Sequence, residues 1–380
     1  MKKFIAILML ACLLSLTACQ SAGQSSVPSP TQNQSAAGTD STEPAEPETD
    51  LLEEMVAKMT VEEKVGQMFF ARCPDEDAAQ TAAKYHLGGY ILFGRDFDGL
   101  TADEVKANIQ SYQDASEIPM LIGTDEEGGT VVRVSSSLRD EPFMSPRDYY
   151  TSGGWEAVEG AEEEKAELLL SLGINVNLAP VCDVTGDPEL FMYERSFSGD
   201  ADEVSEFVGK TVGIYRSKKL GSVLKHFPGY GDNSDTHTGI TVDSRSYSEF
   251  LSNDFKPFAA GISSGADCIL VSHNIVECMD ADYPASLSDK VHQIIRNDLR
   301  FNGVVMTDDL IMGAISEYTG SDAAAVFAAK AGNDMLCCSD LEVQYPAVLE
   351  AVEKQEIPME QIDRSVIRVL KWKQDLGLIK

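Results

Sequence analysis

From residue 51 onward the chain repeats one unit: a short apolar run, a polar loop, then an amphipathic stretch. Parallel neighbours in a sheet need a long crossover, usually a helix, so this alternation specifies a parallel sheet. Eight runs read as strands: Val65 to Phe70, Gly89 to Phe93, Met120 to Gly123, Ile174 to Leu178, Ser222 to Lys225, Cys268 to Ser272, Val304 to Thr307 and Asp334 to Cys337. Helix signals fall between them. Thr60 with Glu63 and Thr101 with Glu104 read as capping boxes, Glu156 to Leu172 carries an apolar stripe, and Ser288 opens a helix over Asp289 to Leu299. Two further helices, near Val343 to Glu353 and Met359 to Leu376, close the chain. Eight such units predict an α/β fold, a (β/α)8 TIM-type barrel in one domain spanning residues 51–380. An open doubly wound sheet is the competing architecture.

The first fifty residues do not share this pattern. Lys2 and Lys3 precede a largely apolar stretch, Phe4 to Leu16, which has the charged and hydrophobic parts of a secretory signal and is too short to span a bilayer comfortably. The stretch ends Leu16-Thr17-Ala18-Cys19, which resembles the lipobox of bacterial lipoproteins and makes Cys19 the expected lipidation site. A plain secretory signal with an incidental cysteine is the simpler alternative. Residues 1–18 are thus expected to be a signal peptide and residues 19–50 a lipid-anchored, disordered linker, because the latter hold Ser, Gln, Thr and Pro but little that could form a core. The expected location is the extracytoplasmic face of a bacterial membrane, reached through the anchor only.

Composition narrows the partners. With 43% hydrophobic and 24% charged residues, the 380-residue chain is neither disordered, collagenous nor a multi-span membrane protein. Its 62 acidic and 30 basic residues give a net charge of −32, which repels a phosphate backbone, so no nucleic-acid partner is expected. Beyond Cys12 and Cys19, the cysteines at 73, 182, 268, 278, 337 and 338 show no C-x-x-C zinc spacing and mostly read as buried thiols. A disulfide from Cys73 to the Cys337/Cys338 pair stays open.

In a barrel, side chains just past the carboxyl ends of the strands converge on one mouth. After the third predicted strand comes Gly123-Thr124-Asp125-Glu126-Glu127-Gly128-Gly129-Thr130-Val131-Val132-Arg133. Asp183 and then Glu194-Arg195-Ser196-Phe197 follow the fourth. The fifth leads into Lys225-His226-Phe227-Pro228-Gly229-Tyr230-Gly231-Asp232-Asn233-Ser234-Asp235-Thr236-His237. His273 ends the sixth strand and Asp308-Asp309 the seventh. Five of the eight ends therefore carry charged or imidazole groups.

These motifs resemble glycoside hydrolase family 3, in its β-N-acetylhexosaminidase branch, over roughly residues 51 to 380. The resemblance implies a retaining, exo-acting β-N-acetylhexosaminidase without metal or organic cofactor, acting on an N-acetylglucosamine-containing glycan or oligosaccharide. It implies Asp308 as nucleophile and His237, paired with Asp235, as acid/base. Asp125, Arg133, Arg195, Lys225 and His226 would bind the nonreducing-end sugar. Two departures stand out. Tyr230 occupies a place where the family usually has histidine, and the chain lacks the further α/β domain that many members carry after the barrel, so it resembles the single-domain members.

Read from the residues alone, the chemistry agrees. Retention needs a carboxylate beneath the anomeric carbon and a proton donor beside the leaving oxygen. Asp308 shares a strand face with Val304 and Met306, whereas Asp309 alternates away and reads as structural. An imidazole titrating near neutrality suits proton transfer, and Asp235 would fix its tautomer. Plainer readings stand beside these: Asp308 as a helix cap, His237 as a loop histidine, Lys225 as the partner of a barrel acid. Glu126 and Glu127 read as structural or supporting. His273 reads equally as a mouth residue, a supporting group or a barrel histidine, and His86 and His292 as surface groups on helices. Rival functions are a phosphorylase or β-glucosidase on the same scaffold, and a catalytically inactive sugar-binding lipoprotein.

Overall fold

The computed structural model describes residues 48–233, 239–319 and 323–380, within a compact unit spanning Glu46–Lys380. Its strands are β1 (Phe69–Arg72), β2 (Gly89–Leu92), β3 (Leu121–Thr124), β4 (Val176–Asn177), β5 (Gly221–Phe227), β6 (Val242–Asp243), β7 (Cys268–Val271), β8 (Ile275–Val276), β9 (Val304–Thr307) and β10 (Leu336–Cys338). Eight of them form one parallel sheet in the order β10-β1-β2-β3-β4-β5-β7-β9. A parallel bridge between Met306 and Met335 joins its two ends. The expected (β/α)8 barrel is the fold of this chain. The short strands β6 and β8 pair with each other outside it.

The first predicted strand is corrected. Val65 belongs to a helix over Val61–Gln67, opened by the Thr60–Glu63 capping box, and β1 begins only at Phe69. The apolar run Val65 to Phe70 is the buried face of a helix followed at once by a buried strand, and periodicity does not separate the two in so short a window. The second capping box, Thr101 with Glu104, opens a helix over Ala102–Ala115 as expected.

Alternate residues of the strands fill the barrel. Phe70, Ile91, Leu121, Val176, Leu178, Val223, Cys268, Leu270, Val304, Met306, Met335 and Cys337 form one buried cluster, joined by Val369 and Trp372 of the last helix, Met359–Asp375. Phe70 takes the most room. A Cβ on Gly89 or Gly123 would stand 2.6 or 2.7 Å from its ring, so those two positions stay bare to admit it. Truncating Phe70 to alanine would cost about 3–5 kcal/mol as the resulting void collapses only in part. Because the inward alternation continues past the strand ends, it also decides which polar side chains reach the mouth.

One detail departs from the sequence reading. His292 is buried, with Nδ1 2.7 Å from the Ser288 carbonyl oxygen, not a surface group. Among the described residues all six cysteines are free, so no bridge joins Cys73 to Cys337 or Cys338. Cys278 is exposed, unlike the other five. No described helix is long and apolar enough to cross a membrane.

Candidate active site

Strand β3 feeds a loop whose backbone is held from beneath. Asn177 of β4 accepts from the Glu126 backbone N–H at 3.0 Å and donates to the Glu126 carbonyl at 3.0 Å. It also donates to the Tyr215 hydroxyl, which donates to Glu162 at 2.6 Å. Glu162 pairs with Lys165 at 2.7 Å, and Lys165 donates to the Glu127 carbonyl at 2.9 Å. Every group in this buried chain is satisfied, which rigidifies the loop it supports. The Glu126 carboxylate turns away from the mouth and accepts from the backbone N–H groups of Arg133, Val134 and Ser135, tying the loop closed.

Two cationic side chains meet around Glu127. Arg195 donates to it through Nε at 2.9 Å and Nη2 at 2.7 Å, and Lys225 Nζ lies 2.5 Å away. The same ammonium donates to Asp125 at 2.6 Å. Burial alone would raise the Glu127 pKa, but Arg195 and Lys225 outweigh it and hold the carboxyl well below the usual range. Burial likewise disfavours the Lys225 charge, yet Asp125 and Glu127 keep its pKa above the ordinary lysine value. Lys225 is therefore an ammonium. Lys225 thus pairs with two barrel acids, as its structural reading expects, and it also lines the mouth.

The Lys225–His226 and Phe227–Pro228 peptides are cis. His226 points Nδ1 at Asp183 Oδ2, 2.8 Å away, and Nε2 at Arg195 Nη2, 3.1 Å away. Tyr230 sets its ring edge-to-face on the His226 ring with centroids 5.2 Å apart, and Phe191 packs against Tyr230 in turn.

Across the mouth, Asp308 follows β9. Its backbone N–H donates to the Val271 carbonyl at 3.0 Å, and its Oδ1 accepts the Asp309 N–H at 2.8 Å. Asp309 turns to Ser339, accepting from its backbone N–H at 3.1 Å and from its hydroxyl. Burial raises the Asp309 carboxyl pKa despite those bonds. His273 is fully buried behind this loop, with Nδ1 on the Ser286 hydroxyl and Nε2 3.0 Å from the Asp309 carbonyl oxygen. Being buried, it does not line the mouth, and its bonds fit both a supporting group and a satisfied barrel histidine.

Asp125, Arg133, Arg195, Lys225, His226 and Asp308 line one cavity of about 780 Å³ at the carboxyl ends of the strands. Ile91, Leu178, Leu270 and Cys337 form its apolar floor. The Arg133 Nε is buried without a hydrogen-bond partner. Arg72, at the end of β1, and Ser339 also reach this cavity and were not singled out from the sequence. Two other hollows, of about 640 and 660 Å³, lie at the amino ends of the strands. Among the described residues no group of three His, Cys, Asp or Glu is arranged to hold a metal ion.

Asp235 and His237 lie outside the described residues, as does Cys19. The segments flanking residues 234–238 are anchored beside the cavity. The Tyr230 backbone N–H donates to Asp183 at 2.8 Å, and Asn233 donates to Asp243 of β6 at 2.8 Å. Arg245 grips Asp243 at 2.8 Å and Asp254 at 3.0 Å.

The model of the glycosyl hydrolase family 3 N-terminal domain matches residues 60–372. The chain belongs to glycoside hydrolase family 3. A relative called beta-hexosaminidase LpqI, from Mycobacterium tuberculosis, is 32% identical over 331 residues, covering 83% of this chain and 84% of the relative. A beta-hexosaminidase of Hydrogenovibrio crunogenus is 28% identical, covering 74% and 82%. Among solved structures, the M. tuberculosis LpqI superposes with a TM-score of 0.76 at 28% identity, over 85% of this chain and 96% of that one. A family 3 β-N-acetylglucosaminidase from Paenibacillus sp. FPU-7 gives 0.79 at 30% identity over 84% of this chain. The present chain spans 63% of that longer one.

Proposed function

We propose that this cavity is the active site of a retaining, exo-acting β-N-acetylhexosaminidase that removes terminal nonreducing N-acetylhexosamine residues. The observation that carries this reading is the Asp308 carboxylate on the same cavity as the Asp125–Lys225 pair and the Arg195–His226 contact. The names of the relatives, β-hexosaminidase and β-N-acetylglucosaminidase, support the substrate class.

The mechanism follows from these placements. Asp125, Arg133, Arg195, Lys225 and His226 hold the sugar hydroxyls, and groups already fixed in place lose little on binding. Asp308 attacks the anomeric carbon while His237, assisted by Asp235, protonates the departing oxygen, leaving a glycosyl-aspartate. In the second half, His237 takes a proton from water, the water oxygen bonds to the anomeric carbon, and the Asp308 carboxylate departs. The steps use side chains and water only.

A panel of chromogenic β-glycosides, with and without inorganic phosphate, tests the reading. Turnover of the N-acetylglucosaminide without need for phosphate is expected. Preference for a β-glucoside, a strict phosphate requirement, or binding without turnover would replace it with one of its rivals.

In the same reading residues 1–18 are a signal peptide, Cys19 carries lipid, and residues 19–50 tether a catalytic domain of residues 51–380 to the extracytoplasmic face of a bacterial membrane. The apolar stretch before Cys19 and the polar composition after it support this arrangement. The partner is a carbohydrate, and a net charge of −32 sets the chain against nucleic acid.

A further inference from the structure

Asp183 does not line the cavity, yet its buried carboxylate makes more hydrogen bonds toward the site than any role assigned so far uses. Its Oδ2 lies 2.8 Å from His226 Nδ1 and accepts the His226 backbone N–H at 3.2 Å, while Oδ1 accepts the Tyr230 backbone N–H at 2.8 Å. We propose that Asp183 is a positioning residue that fixes His226 as its Nδ1–H tautomer, so that the ring offers Nε2 to the cavity as a hydrogen-bond acceptor. This rests on the reading that the cavity binds a terminal sugar.

The donor count carries the argument. Arg195 Nη2 has two hydrogens; one goes to Glu127 Oε1 at 2.7 Å, and the other faces His226 Nε2 at 3.1 Å. Guanidinium nitrogens only donate, so Nε2 must be the bare nitrogen and Nδ1 must carry the proton. An imidazolium or an Nε2–H tautomer would set N–H against N–H. Asp183 faces three N–H groups through its two oxygens, the arrangement of a carboxylate, which only accepts. A sugar hydroxyl that replaces Arg195 at Nε2 must then donate, which makes the position selective for hydroxyl over an acceptor-only group. The amide of Asp183→Asn has one oxygen for three N–H groups on opposite sides, so it cannot reproduce this arrangement.

The test uses the full chain labelled with ¹⁵N-histidine, near neutral pH and without substrate, with the His226 resonances assigned through His226→Gln. Long-range ¹H–¹⁵N correlations should show Nδ1 protonated and Nε2 bare; an Nε2–H or doubly protonated ring in the wild type overturns the proposal. Asp183→Asn should raise KM for an activated N-acetylglucosaminide roughly tenfold with a smaller change in kcat, because a contact made in both ground and transition states is weakened. The double variant with His226→Gln should then lose little beyond His226→Gln alone. Fully multiplicative losses would show that Asp183 does not act through His226, and would sink the proposal. If Asp183→Asn does not fold, the wild-type spectrum decides alone. That spectrum needs no substrate, so a failure of the glycosidase reading, seen as no turnover by the wild type, stays distinguishable.

Discussion

Glu127 and Arg195, 68 residues apart in sequence, face each other through two parallel hydrogen bonds, Nε to Oε2 at 2.9 Å and Nη2 to Oε1 at 2.7 Å. Lys225 closes on the same carboxylate at 2.5 Å. Two cations thus share a buried anion; removing it takes the paired carboxylate from Arg195 and leaves Lys225 with Asp125 alone. Glu127→Gln should cost about 3–5 kcal/mol of unfolding free energy, measured by urea denaturation near neutral pH. The pH dependence follows in sign. A carboxyl whose folded pKa lies below its ordinary 4.5 contributes stability that is complete above that value and is lost as pH falls through it toward the folded value. The wild type should therefore lose stability more steeply than Glu127→Gln on acidification below about pH 4.5. Parallel curves would show that Glu127 is not the linked group.

Lys373 offers the opposite sign. Its ammonium is fully buried and donates to Gln67 Oε1 at 2.6 Å, and burial pushes its pKa down to about 7 from 10.5. Between those values the unfolded chain binds the proton more tightly than the folded one. Stability should rise with pH across that window, by at most about 1.4 kcal/mol per pH unit from this group. Lys373→Met should flatten the rise and gain stability relative to the wild type at pH 6, as denaturant titrations at several pH values will show. An unchanged slope between about pH 7 and 9 would assign the linkage elsewhere.

Asp308→Ala should reduce turnover by roughly 10⁴-fold or more, because the anomeric carbon loses its covalent partner. Stability should change little, since the side chain stands at the cavity and contributes no core. A fluorinated slow substrate followed by peptide mapping identifies the labelled residue. Label on Glu126 or Asp309 would overturn the assignment. The hydrogen bonds of Glu126 to the 133–135 backbone and of Asp309 to Ser339 are the structural reason to expect neither.

How much of this was legible in the sequence depends on the kind of signal each residue gave. The barrel was legible because eight buried runs separated by helical segments leave few architectures, and because inward alternation carries Asp125 and Asp308 to the mouth. Arg72 was missed for a local reason. Placing the first strand at Val65 to Phe70 ended it before Arg72, so a residue that closes β1 at the cavity fell into a loop. Asp183 was noticed as a charge after the fourth strand, but nothing in sequence spacing shows that its carboxylate meets His226, 43 residues away. His292 read as a surface group because helical periodicity marks which face is apolar, not whether a neighbouring loop covers the polar one. Pairings across long separations follow from topology, and a single sequence does not print them.

Membrane association should depend on Cys19 rather than on the folded body. No described helix is able to span a bilayer, and an acidic surface gains nothing from an anionic one. Stable attachment by acyl chains takes two or more, since one binds only marginally. Cells expressing Cys19→Ser should release the protein from the membrane pellet on fractionation. Retention in the pellet would reveal another anchor and end the lipobox reading.

His237 gives the sharpest kinetic forecast, because a loop histidine and a proton donor behave differently toward the leaving group. His237→Ala should slow substrates with poor leaving groups by roughly 10²- to 10⁴-fold, and activated aryl glycosides far less in their first step, since the latter depart without a proton. The second step loses base assistance to water. Azide needs no deprotonation, so it should restore part of the turnover of an activated substrate and yield a β-glycosyl azide. Asp235→Ala should show a milder loss with an altered pH profile, because the imidazole keeps its place in the chain but loses the carboxylate that orients it. On the amino-terminal side of these positions, the Tyr230 backbone N–H is held by Asp183 and Asn233 by Asp243. Equal slowing of good and poor leaving groups, with no response to azide, would place the proton donor elsewhere in the chain.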